Sequence, residues 1–167
     1  MTCRAGGPSG LYLHGEMGYG AAEGEIMSTS KANATWEGTL KSGHGAMKPE
    51  HGSDVPFTMA SRFEGAQGSN PEELVGAALA GCFSMALSLG LEKAGMTPQN
   101  IRTSARVHLE KVGDGFAVPR IDLVTEVRAS GGDEAKFRTV AEETKKGCPI
   151  SKLLSAAQIT LEAKLVK

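Results

Sequence analysis

From Leu74 to Leu91 the chain carries no charged side chain, and this stretch constrains the fold more than any other. It opens with Asn70-Pro71-Glu72-Glu73. Asn70 is a good N-cap, Pro71 suits the first helical position, and Glu73 completes an Asn-x-x-Glu capping box. Gly95 closes the segment, with Pro98 beyond it as a stop. About 24 residues at 1.5 Å each make a helix of about 36 Å, long enough to run through the middle of a small domain. An uncharged stretch of this length also reaches the threshold for a membrane span. Its composition argues against one. Ala, Ser and Gly recur at turn spacing, the start is a soluble-type cap, and no Lys/Arg cluster or aromatic belt flanks it. A helix apolar on nearly all sides equally suits a domain core or a dimer.

The segments around it alternate between strand and turn signals. Ala34 to Leu40 reads as a strand, Gly43-His44-Gly45 and Gly52-Ser53-Asp54 as turns, Val55 to Phe63 as a second strand with Arg62 near its end, and Gly65 to Ser69 as a loop. Beyond the long helix, Ala105 to Val112 and Phe116 to Val127 form a hairpin about Gly113-Asp114-Gly115, with Ile121, Leu123, Thr125 and Val127 on one face. Pro119 within it marks an edge position or a bulge. Asp133 to Lys146 reads as a helix with acid at its start and base at its end, as the macrodipole favours. A short helix from Pro149 to Ser155 and a strand from Gln158 to Val166 follow. Strands, long helix, strands, helix and strand imply an α+β domain.

Composition narrows the class. A chain of 167 residues supports one domain with a real core. A net charge of -1 offers no electrostatic case for nucleic acid or an anionic membrane as partner. Three cysteines are too few, and odd, for a secreted disulfide scaffold, which points to the cytoplasm. Residues 1–26 are rich in Gly, lack periodicity and read as a disordered leader containing Cys3; Met27 is an alternative start, and 27–167 is the single folded domain. The apolar run Leu11-Tyr12-Leu13 is too short for a secretory signal.

The chemistry rests on Cys82, inside the long helix, and Cys148, in Gly147-Cys148-Pro149-Ile150-Ser151. They lie too far apart in sequence for a CxxC pair, but become a reactive dithiol if the fold joins them. Each has an ordinary reading too. A mid-helix cysteine is commonly a small buried hydrophobe, and gains little from a dipole that fades beyond the first turn. Cys148 precedes a proline at a first helical position and is therefore a cap residue, where unpaired amides favour a thiolate. Local physics alone thus names Cys148 as the more acidic thiol. Arg62 and Glu72 are candidate partners, as a guanidinium that steadies a thiolate and a carboxylate that holds it; separately they are unremarkable surface and capping residues. His14, His44, His51 and His108 show no metal-ligand spacing.

Arg62-Phe63-Glu64-Gly65, Asn70-Pro71-Glu72-Glu73-Leu74, Ala80-Gly81-Cys82-Phe83-Ser84 and the later Gly147-Cys148-Pro149-Ile150-Ser151 together resemble the OsmC/Ohr family of thiol peroxidases, from about Ala32 to Lys167. Trp36-Glu37-Gly38 and the segment around Arg62 are similar to the osmotically inducible OsmC branch. In the Ohr branch the arginine comes from an earlier segment.

The resemblance implies an intertwined α+β homodimer, with antiparallel sheets packed around long central helices and two sites at the subunit interface. It implies Cys82 as peroxidatic thiol, Cys148 as resolving thiol, Arg62 as the group that steadies the Cys82 thiolate, and Glu72 as its holder. It further implies organic hydroperoxides as substrates in stress defence and an external dithiol as reductant, of lipoyl type in some members. No metal, haem, flavin or nucleotide is implied. Two other classes stand beside it: a redox sensor that uses the same residues and whose disulfide a partner reads, and a small-ligand binding module with an apolar pocket between the dimer's helices, which does not depend on Cys82.

Overall fold

The chain forms two three-stranded sheets, and the long helix packs against the second of them. A computed structural model describes residues 28–166; the leader expected over 1–26, with Cys3, and Met27 lie outside the described residues. All the elements belong to one unit beginning at Ala32. Strands β1 (Ala32–Glu37), β2 (His44–Pro49) and β3 (Val55–Thr58) form an antiparallel meander. β3 runs directly into the short helix α1 (Met59–Phe63), and the long helix α2 spans Pro71–Lys93. β4 (Thr97–Val112) and β5 (Gly115–Ser130) make a long hairpin. Helices α3 (Glu134–Gly147) and α4 (Pro149–Leu153) then cross over to β6 (Gln158–Val166), which joins β5 in parallel.

The core lies in the second layer. Leu79, Phe83, Leu87 and Leu91 recur at helical spacing along α2 and are fully buried. They pack with Ile121, Leu123 and Val127, alternate residues on one face of β5, and with Phe137 and Ala141 of α3. Thr125 stands in that same inward row. Its hydroxyl is satisfied by Thr103 at 2.9 Å, which is also reached by Ser84 of α2 at 2.8 Å, so the buried polar atoms remain paired. The opposite side of α2 is different. Met85 is 77% exposed and Leu89 53% exposed, on the same apolar helix. By length and composition α2 is able to cross a membrane, yet it packs along β4, α3 and α4.

Several expectations need correcting. The strand expected to reach Leu40 ends at Glu37. Gly43-His44-Gly45 is not simply a turn, because His44 and Gly45 open β2 opposite Glu37 and Trp36. Gly45 is there for space: a Cβ would lie 2.5 Å from the Thr35 carbonyl and 2.7 Å from the Phe57 ring. The gap lets Trp36 and Phe57 meet across β2 with ring centroids 5.3 Å apart. The strand expected over Val55 to Phe63 stops at Thr58. There Thr58 and Ser61 form a reciprocal capping box at 3.0 and 2.9 Å that turns the backbone into α1.

Only half of the Asn70 box forms. Asn70 accepts from the Glu73 amide at 2.9 Å, while the Glu73 carboxylate takes the Ser69 hydroxyl at 2.7 Å. Gly95 follows the helix at a φ of 74°, but Pro98 is no stop: β4 begins at Thr97 rather than Ala105. β4 is an edge strand, which tolerates a proline lacking the ladder amide. β5 is central, so Pro119 marks the bulge and not the edge; the register shifts opposite His108 and Glu110. Finally, the second sheet is mixed rather than wholly antiparallel, because β6 enters after a helical crossover.

Candidate active site

The buried row of α2 sets the position of Cys82, one residue before Phe83. α3 lies across this helix through Phe137, Val140, Ala141 and Thr144, its buried stripe. Gly90 allows the close approach, since a Cβ there would meet Val140 at 3.0 Å and Thr144 at 3.3 Å. At the end of α3 the Cys148 amide donates to the Thr144 carbonyl at 2.8 Å, and the Cys148 carbonyl accepts from Lys152 at 3.0 Å as α4 begins. Cys148 therefore closes one helix and caps the next. The result joins two distant positions. The Cys82 and Cys148 sulfurs stand 3.2 Å apart, both as free thiols.

Their electrostatics differ. Burial is the largest influence on Cys148 and opposes its thiolate. The Ser151 amide, the Cys82 thiol, the Ser151 hydroxyl and the Ile150 amide together outweigh it and hold the Cys148 pKa below the ordinary cysteine value. Burial raises the Cys82 thiol, the Ile150 amide offsets part of this, and the neighbouring Cys148 raises it further. Within one chain the order of acidity is thus the one that local sequence physics names. A cavity of about 580 Å³ between α2 and α3 reaches Cys148 past Ala86, Leu89 and Gly90.

Arg62 and Glu72 also meet, but elsewhere. Arg62 Nη2 donates to Glu72 Oε1 at 2.6 Å and Nε faces both carboxylate oxygens at 3.2 Å, a forked pairing with Glu72 largely buried. The guanidinium lies 5.1 Å over the Phe63 ring, and Phe63 packs on Phe116 from the β4–β5 hairpin at 5.0 Å. Glu72 and Cys82 share α2, about 15 Å apart along its axis. In one chain, then, the four expected residues form two pairs: a dithiol and an ion pair that does not touch it. Among the described residues no group of His, Cys, Asp and Glu is arranged to hold a metal ion. His108 instead bonds Asp122 at 2.7 Å on the second sheet.

Residues 64–164 match the family of OsmC-like proteins. This chain belongs to the OsmC family. It is 48% identical over 137 residues to the peroxiredoxin OsmC of Escherichia coli K12, a match covering 81% of this chain and 95% of that protein. The peroxiredoxin OsmC of Shigella flexneri matches equally. Among solved structures, an OsmC-like protein from Mycoplasma pneumoniae superposes with a TM-score of 0.67 at 16% identity, covering 85% of this chain and all of that one. The organic hydroperoxide resistance protein OhrB of Bacillus subtilis gives 0.59 at 24% identity, over 84% of this chain and again the whole of the other. These two likenesses establish the OsmC fold.

Phe63 and Phe116, the neighbours of Arg62, and Ser151, the neighbour of Cys148, are absent from the site residues that the sequence singles out. Ser151 was visible in its motif, three residues after the cap cysteine, a spacing that faces the cap. Nothing local marks Phe116, which comes from a different hairpin.

Proposed function

We propose that this OsmC-family chain reduces organic hydroperoxides in stress defence through a Cys82 sulfenic acid and a Cys82–Cys148 disulfide. That it is a thiol-dependent peroxidase follows from its kinship with the peroxiredoxins OsmC. The observation that carries the residue roles is the 3.2 Å between the two free sulfurs. The Cys82 thiolate attacks the peroxide's outer oxygen, the O–O bond breaks, and the alkoxide takes a proton and leaves as the alcohol. The Cys148 thiolate then attacks the Cys82 sulfur, and the oxygen departs as water. An external dithiol reduces the disulfide by exchange, so that no bound cofactor enters the cycle.

Cys82 needs a cation to form its thiolate, because burial opposes it. Arg62, on α1, is held by Glu72 at the start of α2, about 15 Å along that helix from its own Cys82, and cannot serve it. A homodimer resolves this: a second copy packing on the exposed Met85 and Leu89 face brings its Arg62–Glu72 pair beside this Cys82. Arg62 then steadies the thiolate and the peroxide, with Glu72 holding its orientation. The apolar surroundings of Arg62, Phe63 and Phe116 favour an organic peroxide over hydrogen peroxide. A dithiol that must return to the reduced state in each cycle fits a cytoplasmic protein.

Steady-state consumption of cumene hydroperoxide with dihydrolipoamide as donor tests the reading. Turnover disappears in Cys82→Ser, and Cys148→Ser stalls as a Cys82 sulfenic acid trappable by dimedone. Turnover that survives Cys82→Ser overturns the assignment of roles, and one round of disulfide formation without turnover in the wild type marks a sensor.

A further inference from the structure

Ser151 is 5% exposed, and while Cys148 is a neutral thiol the Ser151 Oγ has no hydrogen-bond partner among the described residues. A buried hydroxyl left unpaired costs about 1–3 kcal/mol, so native proteins retain few without a use. This one stands beside reacting chemistry. Cys148 is the N-cap of α4 and Ser151 its third helical residue, but the neutral cap thiol makes no capping hydrogen bond to the α4 backbone and instead points at Cys82. An oxygen at that position would accept from the third amide of the helix. A cysteine places a larger, weaker acceptor there, and its sulfur accepts well only as thiolate. One turn of chain thus holds a sulfur able to gain charge and a hydroxyl with a proton to give.

We infer that Ser151 donates its hydroxyl hydrogen to the Cys148 sulfur when that sulfur is a thiolate, and so promotes the resolving step rather than the attack on peroxide. The inference rests on the roles proposed for Cys82 and Cys148. In the step, the Cys148 thiolate forms the S–S bond, the Cys82 S–O bond breaks, and hydroxide leaves and is protonated to water. One electron's worth of oxidation passes from the Cys82 sulfur to the Cys148 sulfur, and no further reagent enters. Ser151 keeps its proton throughout. The other groups facing Cys148 are Cys82 of α2 and, along the groove, Lys93 of α2 and Glu143 of α3. The lowered pKa of Cys148, in which Ser151 takes part, accords with this arrangement.

A thiolate steadied in this way is also a weaker nucleophile, but only partly so. Each unit of lowered pKa multiplies the thiolate fraction about tenfold below the midpoint and reduces intrinsic reactivity about threefold. The net effect at acidic to neutral pH is acceleration. Ser151→Ala therefore slows disulfide formation about threefold to tenfold below the midpoint and moves that midpoint to higher pH.

Two measurements on the full chain test this. The first is single-turnover stopped flow with cumene hydroperoxide, across pH, for wild type, Ser151→Ala and Ser151→Thr. Sulfenic acid formation keeps its rate in all three, the second phase slows in Ser151→Ala, and Ser151→Thr, which retains the hydroxyl, restores it. The second is thiolate absorbance at 240 nm in a Cys82→Ser background, where Ser151→Ala raises the Cys148 titration. An unmoved titration, or a slower second phase with an unmoved midpoint, overturns the inference and leaves Ser151 a packing residue. The absorbance arm needs no peroxide. If wild type forms no sulfenic acid, the proposed function fails, while a moved titration still shows the Ser151 bond.

Discussion

The two sheets of this molecule are built by the same chain under opposite conditions. The second sheet buries a full face, with Ile121, Leu123, Thr125 and Val127 closed over by the Leu79–Phe83–Leu87–Leu91 row. The first sheet buries almost nothing: every residue of β1 is exposed, and Trp36 and Phe57 are held mainly by each other. The dithiol belongs to the closed half, and the Arg62–Glu72 pair joins the open half to the start of α2. An amphipathic or apolar face must be covered for its element to be stable. The contrast therefore locates what one chain completes alone, the thiol pair, and what awaits a second copy in the proposed dimer.

The sharpest way to break this comparison is to remove the cation from the open half. Arg62→Ala lowers peroxide turnover about 10²- to 10³-fold, the scale for losing one electrostatic stabiliser, and shifts the pH-rate profile to higher pH as the Cys82 thiolate loses its support. An equimolar mixture of Arg62→Ala and Cys82→Ser chains, unfolded and refolded together, regains activity if the arginine acts across copies. No regain means that each chain must supply its own.

Stability gives the next test. Phe83→Ala empties a fully buried site and costs about 3–5 kcal/mol. Trp36→Ala costs about 0.5–1.5 kcal/mol from the ring pair within one chain. Its effect grows at protein concentrations where the proposed dimer forms, because the open sheet is then covered. Denaturant unfolding at two protein concentrations separates the cases, and a concentration-independent Trp36→Ala effect removes the need for a cover on that sheet.

The smallest effect concerns the outer face of the closed sheet. The His108 hydrogen bond chiefly, with the Thr160 hydroxyl and the nearby Arg120, holds the Asp122 carboxyl below its usual range despite some desolvation. A carboxyl whose pKa is lower folded than unfolded adds stability above its unfolded value near 4, and loses it as pH falls through the folded value. Asp122→Asn is accordingly less stable than wild type at neutral pH, and the difference closes under acid. A gap that persists unchanged at pH 2 to 3 assigns the loss to packing.

Much of this was readable along the chain because it is local. The α2 cap at Asn70 and Pro71, the inward row of β5 and the acidic start of α3 depend on neighbours a few residues away, which share a face or a turn. The failures have non-local causes. Gly45 reads as a turn residue until the Phe57 ring is placed beside it, and Pro98 reads as a stop until β4 proves to be an edge. β6 could be recognised as a strand, but its parallel pairing depends on the crossover through α3 and α4.

The candidate site divides in the same way. Sequence by itself named the four candidate residues, through motifs that resemble a known family, and it favoured Cys148 as the thiol with better local support for a thiolate because a helix cap is a neighbourhood of a few amides. Only the tertiary structure decided that the sulfurs meet at 3.2 Å, that Arg62 pairs with Glu72 out of reach of its own Cys82, and that Ser151 keeps a buried, unpaired hydroxyl. Distances between segments far apart in sequence are set by how buried faces close on one another, and no local propensity contains that information.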